Sequence, residues 1–304
     1  MRPEGGLGLH GVIAPIPTPF DPLTGDVAPV QFRQAARALL DAGLTGLAVA
    51  GSTGEGELLD DGERTRLVEW LREVVPSGKW LIAGAGAEST RGAVAIARAV
   101  GAAGADATLV RPPAYYGAVL SPAAFADHYS RLADESPIPL IIYNIPKFSH
   151  VMLHDSVLRA VADHANVLGF KDSSGDLKVL ASYRAAAPLL IPLVGAGQLL
   201  YPAMELGAVG GIIAVSCFAA SLAVRCYEAF QAGDRETAGE AQERLGPLAR
   251  EIVNGMGPAG IKAAMEAIGL PMGPARSPLQ PLDARTMARL TELLQAAGLR
   301  AAAA

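Results

Sequence analysis

The sequence predicts an α/β fold, a (β/α)8 TIM barrel with a C-terminal helical extension. Three observations predict it. Eight short apolar runs alternate with longer amphipathic segments, the pattern of a parallel sheet. Eight is also the strand number that closes such a barrel, which takes ~250 residues of a chain that has 304. From about residue 221 onward the pattern is helical and shows no second core. Residues 1–220 are therefore assigned to the barrel, and 221–304 to helices that complete and extend it. A doubly wound open sheet is the rival. It would be favoured by a glycine fingerprint after an early strand, and none is present.

In chain order, strands are expected at 11–16, 46–50, 80–84, 107–110, 139–143, 167–171, 190–194 and 210–214. Helices are expected between them at 29–42, 60–75, 90–103, 122–135, 155–163, 177–186 and 199–206. Asp60 and Ser89 stand where N-caps belong, and Ser121 before Pro122 reads as N-cap followed by first helical residue. Gly43 and Gly104 stand where C-terminal cap glycines belong. The extension is expected to hold helices at 222–231, 234–253, 261–268 and 284–297, with Asn254-Gly255-Met256-Gly257-Pro258 as a break. The alanines at 301–304 are expected to fray.

Composition narrows the function classes. The chain is 51% hydrophobic and 18% charged, which favours a large core and excludes intrinsic disorder. A net charge of -5 and no basic stripe argue against nucleic acid as a partner. Cys217 and Cys226 form no CxxC, and buried free thiols in a reducing cytoplasm are expected. Prolines 15, 17 and 19 interrupt the N-terminal region, so no signal peptide is expected. Residues 207–224 are uncharged and long enough to raise the question of a membrane span. Three glycines and two serines favour a buried strand, a loop and a helix there, with no membrane contact.

In a barrel, functional groups gather where strands end. Lys171 ends the sixth apolar run and is followed by Asp172-Ser173-Ser174-Gly175. Desolvation at such a place disfavours an ammonium, and a neutral amine is a carbonyl nucleophile. A lysine that snorkels to solvent is the ordinary alternative. Tyr143 ends the fifth run, a natural proton shuttle for that amine or else a core tyrosine with its hydroxyl satisfied. The second run ends in Gly51-Ser52-Thr53-Gly54-Glu55, where hydroxyls and free amides form either a carboxylate seat or an ordinary capped turn. After the fourth run, Tyr115 and Tyr116 reach either a pocket or a partner subunit. Glycines 210 and 211 admit close approach of backbone to a ligand.

Other patterns are set aside. The GxGxxG at residues 6–11 precedes a strand, where dinucleotide binding requires it to follow one. His150 and His154 have helical metal-ligand spacing but enclose only apolar residues. With no HExxH, no metal is expected. That favours a lysine-based aldolase over a metal-based one.

Gly51-Ser52-Thr53-Gly54-Glu55, Tyr143-Asn144-Ile145-Pro146 and Gly169-Phe170-Lys171-Asp172-Ser173-Ser174-Gly175 resemble the dihydrodipicolinate synthase / N-acetylneuraminate lyase family, in order over about 11–299. The resemblance implies a barrel with a helical extension, a homotetramer or homodimer, and pyruvate bound as an imine with no other cofactor. It makes Lys171 the imine-forming residue and Tyr143 the proton relay. Ser52 and Thr53 become the carboxylate seat, with Thr53 linking Tyr143 to a loop tyrosine, Tyr116 or, one residue earlier, Tyr115. In tetrameric members that tyrosine serves the neighbouring subunit. Ile213 lines the site through its backbone.

Synthases of the family carry an arginine where Phe148 stands, and neighbouring Lys147 is an imperfect substitute. A sialate lyase would carry a small residue at His150. The segments 84–90, 171–176, 207–211 and 274–280 look more like 4-hydroxy-2-oxoglutarate aldolases, in which Ser173 contacts the second carboxylate. Thr53 departs from that pattern, which often has Asn. The expected reaction cleaves 4-hydroxy-2-oxoglutarate to pyruvate and glyoxylate. The alternative condenses pyruvate with the aldehyde aspartate semialdehyde.

Overall fold

Each apolar run hydrogen-bonds in parallel to the next. The strands are β1 (Gly11–Pro15), β2 (Gly46–Val49), β3 (Trp80–Gly84), β4 (Ala107–Val110), β5 (Leu140–Asn144), β6 (Val167–Asp172), β7 (Ile191–Val194) and β8 (Gly210–Ile212). In the computed structural model, which describes residues 8–299, they close in sequence order into one barrel. The seam pairs Gly11 with Gly210 and Ile13 with Ile212. Gly210 sits at φ +139, and a Cβ there would lie 2.0 Å from the Gly11 carbonyl oxygen, so only glycine lets the barrel shut.

Strand alternation sorts side chains into two cores. Ile13, Ala48, Ile82, Leu109, Ile141, Tyr143, Leu193 and Ile212 pack together inside the barrel. Their neighbours Val12, Leu47, Val49, Leu81, Val110, Ile142, Phe170 and Val194 face the surrounding helices. A period of two residues is all that this sorting requires.

The surrounding helices are α1 (Pro29–Asp41), α2 (Asp61–Arg72), α3 (Thr90–Ala102), α4 (Pro122–Glu135), α5 (Pro146–Ser149), α6 (Asp155–Val161), α7 (Leu177–Ala186) and α8 (Leu200–Glu205). Asp60 caps α2 in a full capping box with Glu63, Ser89 caps α3, and Ser121 caps α4. Gly43 and Gly104 take φ of +95 and +104 beyond α1 and α3, as C-terminal caps do.

The C-terminal segment adds α9 (Ala220–Gln231), α10 (Arg235–Pro247), α11 (Gly257–Ala267) and α12 (Ala284–Ala296). Three expectations need correction. The helix expected over 234–253 stays α-helical only to Pro247 and continues as π-helix over Leu248–Met256. Proline has no N–H for the i→i−4 ladder, and the wider register follows it directly. The expected break at 254–258 is therefore a joint between π-helix and α11. The strand expected over 210–214 ends at Ile212, where Ala214–Cys217 turn into a 3-10 helix.

Residues 207–224 fold as β8, that turn and the start of α9. Among the described residues no helix is long and apolar enough to cross a membrane. Cys217 and Cys226 are buried free thiols, and burial pushes both upward from the ordinary thiol pKa, Cys226 to about 12. His150 ends α5 in a left-handed turn and His154 caps α6, so the two lie on different elements. Residues 1–7, including the start of the GxGxxG pattern, and residues 300–304, including the alanines at 301–304, lie outside the described residues.

Candidate active site

Lys171 and Tyr143 are register partners on adjacent strands, so alternation turns both toward the barrel axis. Lys171 is 4% exposed, and its Nζ lies 4.1 Å from the centre of the Tyr143 ring. The next pair along, Asn144 and Asp172, points the other way. Asn144 Nδ2 donates to Asp172 Oδ1 at 2.7 Å, and Asp172 also accepts from the Ser174 hydroxyl at 2.7 Å. Burial raises the Asp172 carboxyl above the usual range, against the lowering effect of these bonds. The buried clamp ties the ends of β5 and β6 together directly behind the amine and the phenol. Ser173 follows, its N–H donating to the Asn144 carbonyl at 2.9 Å.

Ser52 and Thr53 lie on the turn after β2, and buried groups grip that turn from three sides. Arg64 of α2 donates to the carbonyls of Ala50, Gly56 and Gly84 at 3.2, 2.6 and 3.1 Å. The Thr18 hydroxyl donates to the Gly54 carbonyl at 2.6 Å. Glu55, in a left-handed conformation, turns its fully buried carboxylate to Lys262 of α11 at 2.6 Å and accepts the Arg276 N–H at 2.7 Å. Desolvation lowers the Lys262 amine, and Glu55 opposes that shift.

A cavity of about 190 Å³ joins these parts. Lys171, Tyr143, Ser52, Thr53 and Ser173, five of the residues singled out in the sequence, all line it. The π-helix and α11 supply another wall through Val253, Asn254, Pro258 and Ile261. Sequence reasoning missed Gln198 and Asn254 because neither ends a strand. Gly195 also lines the cavity, and a Cβ there would fall 2.6 Å from Lys171 Cε. Gly195 lies two residues beyond Leu193, the register partner of Lys171 on the neighbouring strand β7, a relation legible only once strand pairing is known.

Three predicted residues stand apart from this cavity. Ile213 is fully buried behind it, with Ala214 lining in its place. Tyr115 and Tyr116 stack edge-to-face at the surface, 80% and 65% exposed. Their loop is held by Glu88, which accepts from the amides of Ala114 and Tyr115 at 2.9 and 2.8 Å. Arg111 bridges Glu88 to Glu57 in the same cluster.

A barrel whose mouth presents a buried lysine beside a tyrosine and a hydroxyl-bearing turn is the architecture of a lyase of the class I aldolase type. Comparison with known proteins agrees. The model of the dihydrodipicolinate synthetase family matches residues 8–297. An uncharacterized DapA-like lyase of Halobacterium salinarum is 38% identical over 96% of this chain and 95% of its own. A 4-hydroxy-tetrahydrodipicolinate synthase of Methanopyrus kandleri is 34% identical over 97% of this chain and 98% of its own. The chloride-inhibited dihydrodipicolinate synthase of Acinetobacter baumannii, solved with pyruvate, superposes with a TM-score of 0.91 at 27% identity, covering 96% of this chain and 100% of that one. The chain belongs to the dihydrodipicolinate synthetase family, and it is an enzyme of the class I aldolase type.

Proposed function

We propose that the enzyme cleaves 4-hydroxy-2-oxoglutarate through an imine on Lys171. The observation that carries the reading is the register pair Tyr143–Lys171, facing one cavity with Ser52 and Thr53. The Lys171 amine adds to the C2 ketone while the Ser52–Thr53 turn holds the adjacent carboxylate. Tyr143 gives a proton to the departing hydroxyl, and the carbinolamine loses water to become an imine. The imine draws the electron pair of the C3–C4 bond as the C4 hydroxyl loses its proton. Glyoxylate departs and an enamine remains. Protonation at C3 and addition of water release pyruvate and restore the amine.

The second reading is synthesis of 4-hydroxy-tetrahydrodipicolinate from pyruvate and aspartate semialdehyde. The name of the Methanopyrus relative favours it. Phe148 opposes it, because an apolar ring at the rim cannot clamp a carboxylate bidentately. In either reading Tyr116, exposed and outside the cavity, is assigned to a neighbouring subunit's site in a dimer or tetramer.

Intact mass after pyruvate and borohydride tests the imine, with Lys171→Ala alongside. A pyruvate-sized adduct on the wild type alone is expected, and its absence from folded wild type overturns the reading. Pyruvate release from 4-hydroxy-2-oxoglutarate is then compared with pyruvate consumption alongside aspartate semialdehyde. Faster turnover of the second pair would exchange the two readings.

A further inference from the structure

Arg64 is a buried cation that the mechanism above does not use. It is 6% exposed and sits one turn into α2, at the end of a helix where a cation is disfavoured. Desolvation works against its charge; Glu57 and Asp61 oppose that effect through space, and Arg111 adds to it. Among the described residues neither carboxylate makes an ion pair with Arg64, and Glu57 is held by Arg111 at 2.8 Å. A guanidinium nevertheless stays charged in a protein. What Arg64 meets at hydrogen-bond distance is backbone, the carbonyls of Ala50, Gly56 and Gly84.

Those carbonyls converge on one crowded point. A Cβ on Gly56 or on Gly84 would fall 2.1 Å from the Ala50 oxygen. Ala50 takes φ +54 and Glu55 takes φ +57, so left-handed residues that are not glycine flank the turn carrying Ser52 and Thr53. Alanine resists that conformation because its Cβ crowds the backbone carbonyl. Such strain persists only where the surroundings over-determine it. The peptide unit is rigid, so a grip on the Ala50 carbonyl also sets the direction in which Gly51 and Ser52 leave β2. Arg64 itself is not among the residues that line the cavity.

We propose that Arg64 is a positioning residue for the substrate's carboxylate. By holding the Ala50 peptide left-handed, it keeps the Ser52–Thr53 turn in the shape that seats the carboxylate, and it does so without touching substrate. The inference rests on the reading of that turn as the carboxylate seat and not on the imine.

The test compares pyruvate with methyl pyruvate, which keeps the ketone and lacks the anion. In Arg64→Met the pyruvate concentration that half-saturates borohydride trapping should rise by about 10-fold or more, with the maximal trapping rate within about three-fold of wild type. Trapping of methyl pyruvate should change by less than about two-fold. Ala50→Gly in that background should recover most of the loss, because glycine takes a positive φ without a clamp. A purely structural or purely electrostatic role would give no such rescue. Equal losses for the two ketones, unchanged pyruvate saturation in folded Arg64→Met, or no recovery with Ala50→Gly overturns the proposal. Arg64→Lys keeps the charge and loses the fork, and it carries the same comparison where Arg64→Met does not fold. Failure of both to fold assigns Arg64 to stability alone and overturns the proposal as well.

Binding without chemistry separates this proposal from the readings beneath it. In Lys171→Ala, pyruvate should raise Tm more than methyl pyruvate does, and adding Arg64→Met should abolish the difference. If that holds while wild type forms no adduct, the imine reading fails and the proposal stands. If the difference survives Arg64→Met, the seat stands and the proposal fails. If pyruvate has no advantage in Lys171→Ala to begin with, the seat reading falls and takes the proposal with it, whatever the adduct shows.

Discussion

Gly195 gives the sharpest test of the site as drawn. It follows β7, and its N–H donates to the Asp172 carbonyl at 2.7 Å. Its backbone is outside the positive-φ region, so alanine is allowed there and keeps the hydrogen bond. The difficulty is the added carbon. It would fall 1.9 Å from Ser173 Oγ, 2.6 Å from Lys171 Cε and 3.1 Å from Ser173 Cβ. Comfortable carbon contacts are ~3.5–4.0 Å, so the lysine stem must retreat by roughly 1 Å. Overpacking of this kind costs ~1–3 kcal/mol, which leaves the barrel folded. A 1 Å misplacement of a reacting group costs about 100-fold in rate. Gly195→Ala should therefore lose about two orders of magnitude in kcat and in the rate of borohydride-trapped adduct formation, while Tm falls by only a few degrees. Gly239→Ala on α10, where a Cβ meets nothing, is the control and should match wild type. Wild-type rates in folded Gly195→Ala would falsify the placement of Lys171 as the nucleophile.

Other perturbations probe the remaining parts. Tyr143→Phe should keep the fold, because the ring's packing is retained, and lose about 100-fold or more in turnover if the hydroxyl relays protons; near-normal kcat would remove it from the mechanism. Lys262→Met should cost ~3–5 kcal/mol in urea unfolding by leaving Glu55 buried without its cation, and Glu55→Gln with Lys262→Met should recover much of that. A loss under ~1 kcal/mol in the single variant would show that the pair does not hold the turn. His128 is buried, which pushes its pKa down to about 4 from 6.5, with Asp127 opposing and Arg111 assisting. The unfolded chain then binds more protons between pH 6.5 and 4, so this stability is present above pH 6.5 and is lost as pH falls through that window. Wild type should lose about 2–3 kcal/mol more than His128→Gln between pH 7 and 4.5, and equal losses would mean that His128 titrates normally when folded.

The barrel was legible because its signals are local. A two-residue period decides which side chains face the axis, as at Tyr143 and Lys171, and the caps at Asp60, Ser89 and Ser121 need only their own turns. A buried strand ending in a lysine is readable from six residues. The extension was less legible. The π-helix after Pro247 and the joint at Gly257 depend on how α10 and α11 lie over the barrel mouth, which no short window records.

By itself, then, the sequence determined the strand count, the placement of Lys171 and Tyr143 at the ends of neighbouring apolar runs, and the hydroxyls of the turn at Ser52 and Thr53. Each follows from hydrogen bonding and apolar periodicity over a few residues. Only the tertiary structure decided what meets them. Lys147 reaches the Asn254 carbonyl across 107 residues, and Glu55 accepts from Arg276 across 221. Gly195 is required only because Lys171 passes beside it. Such contacts are set by barrel closure and by the path of the loops, and free energy of that kind depends on distance in space and carries no period along the chain.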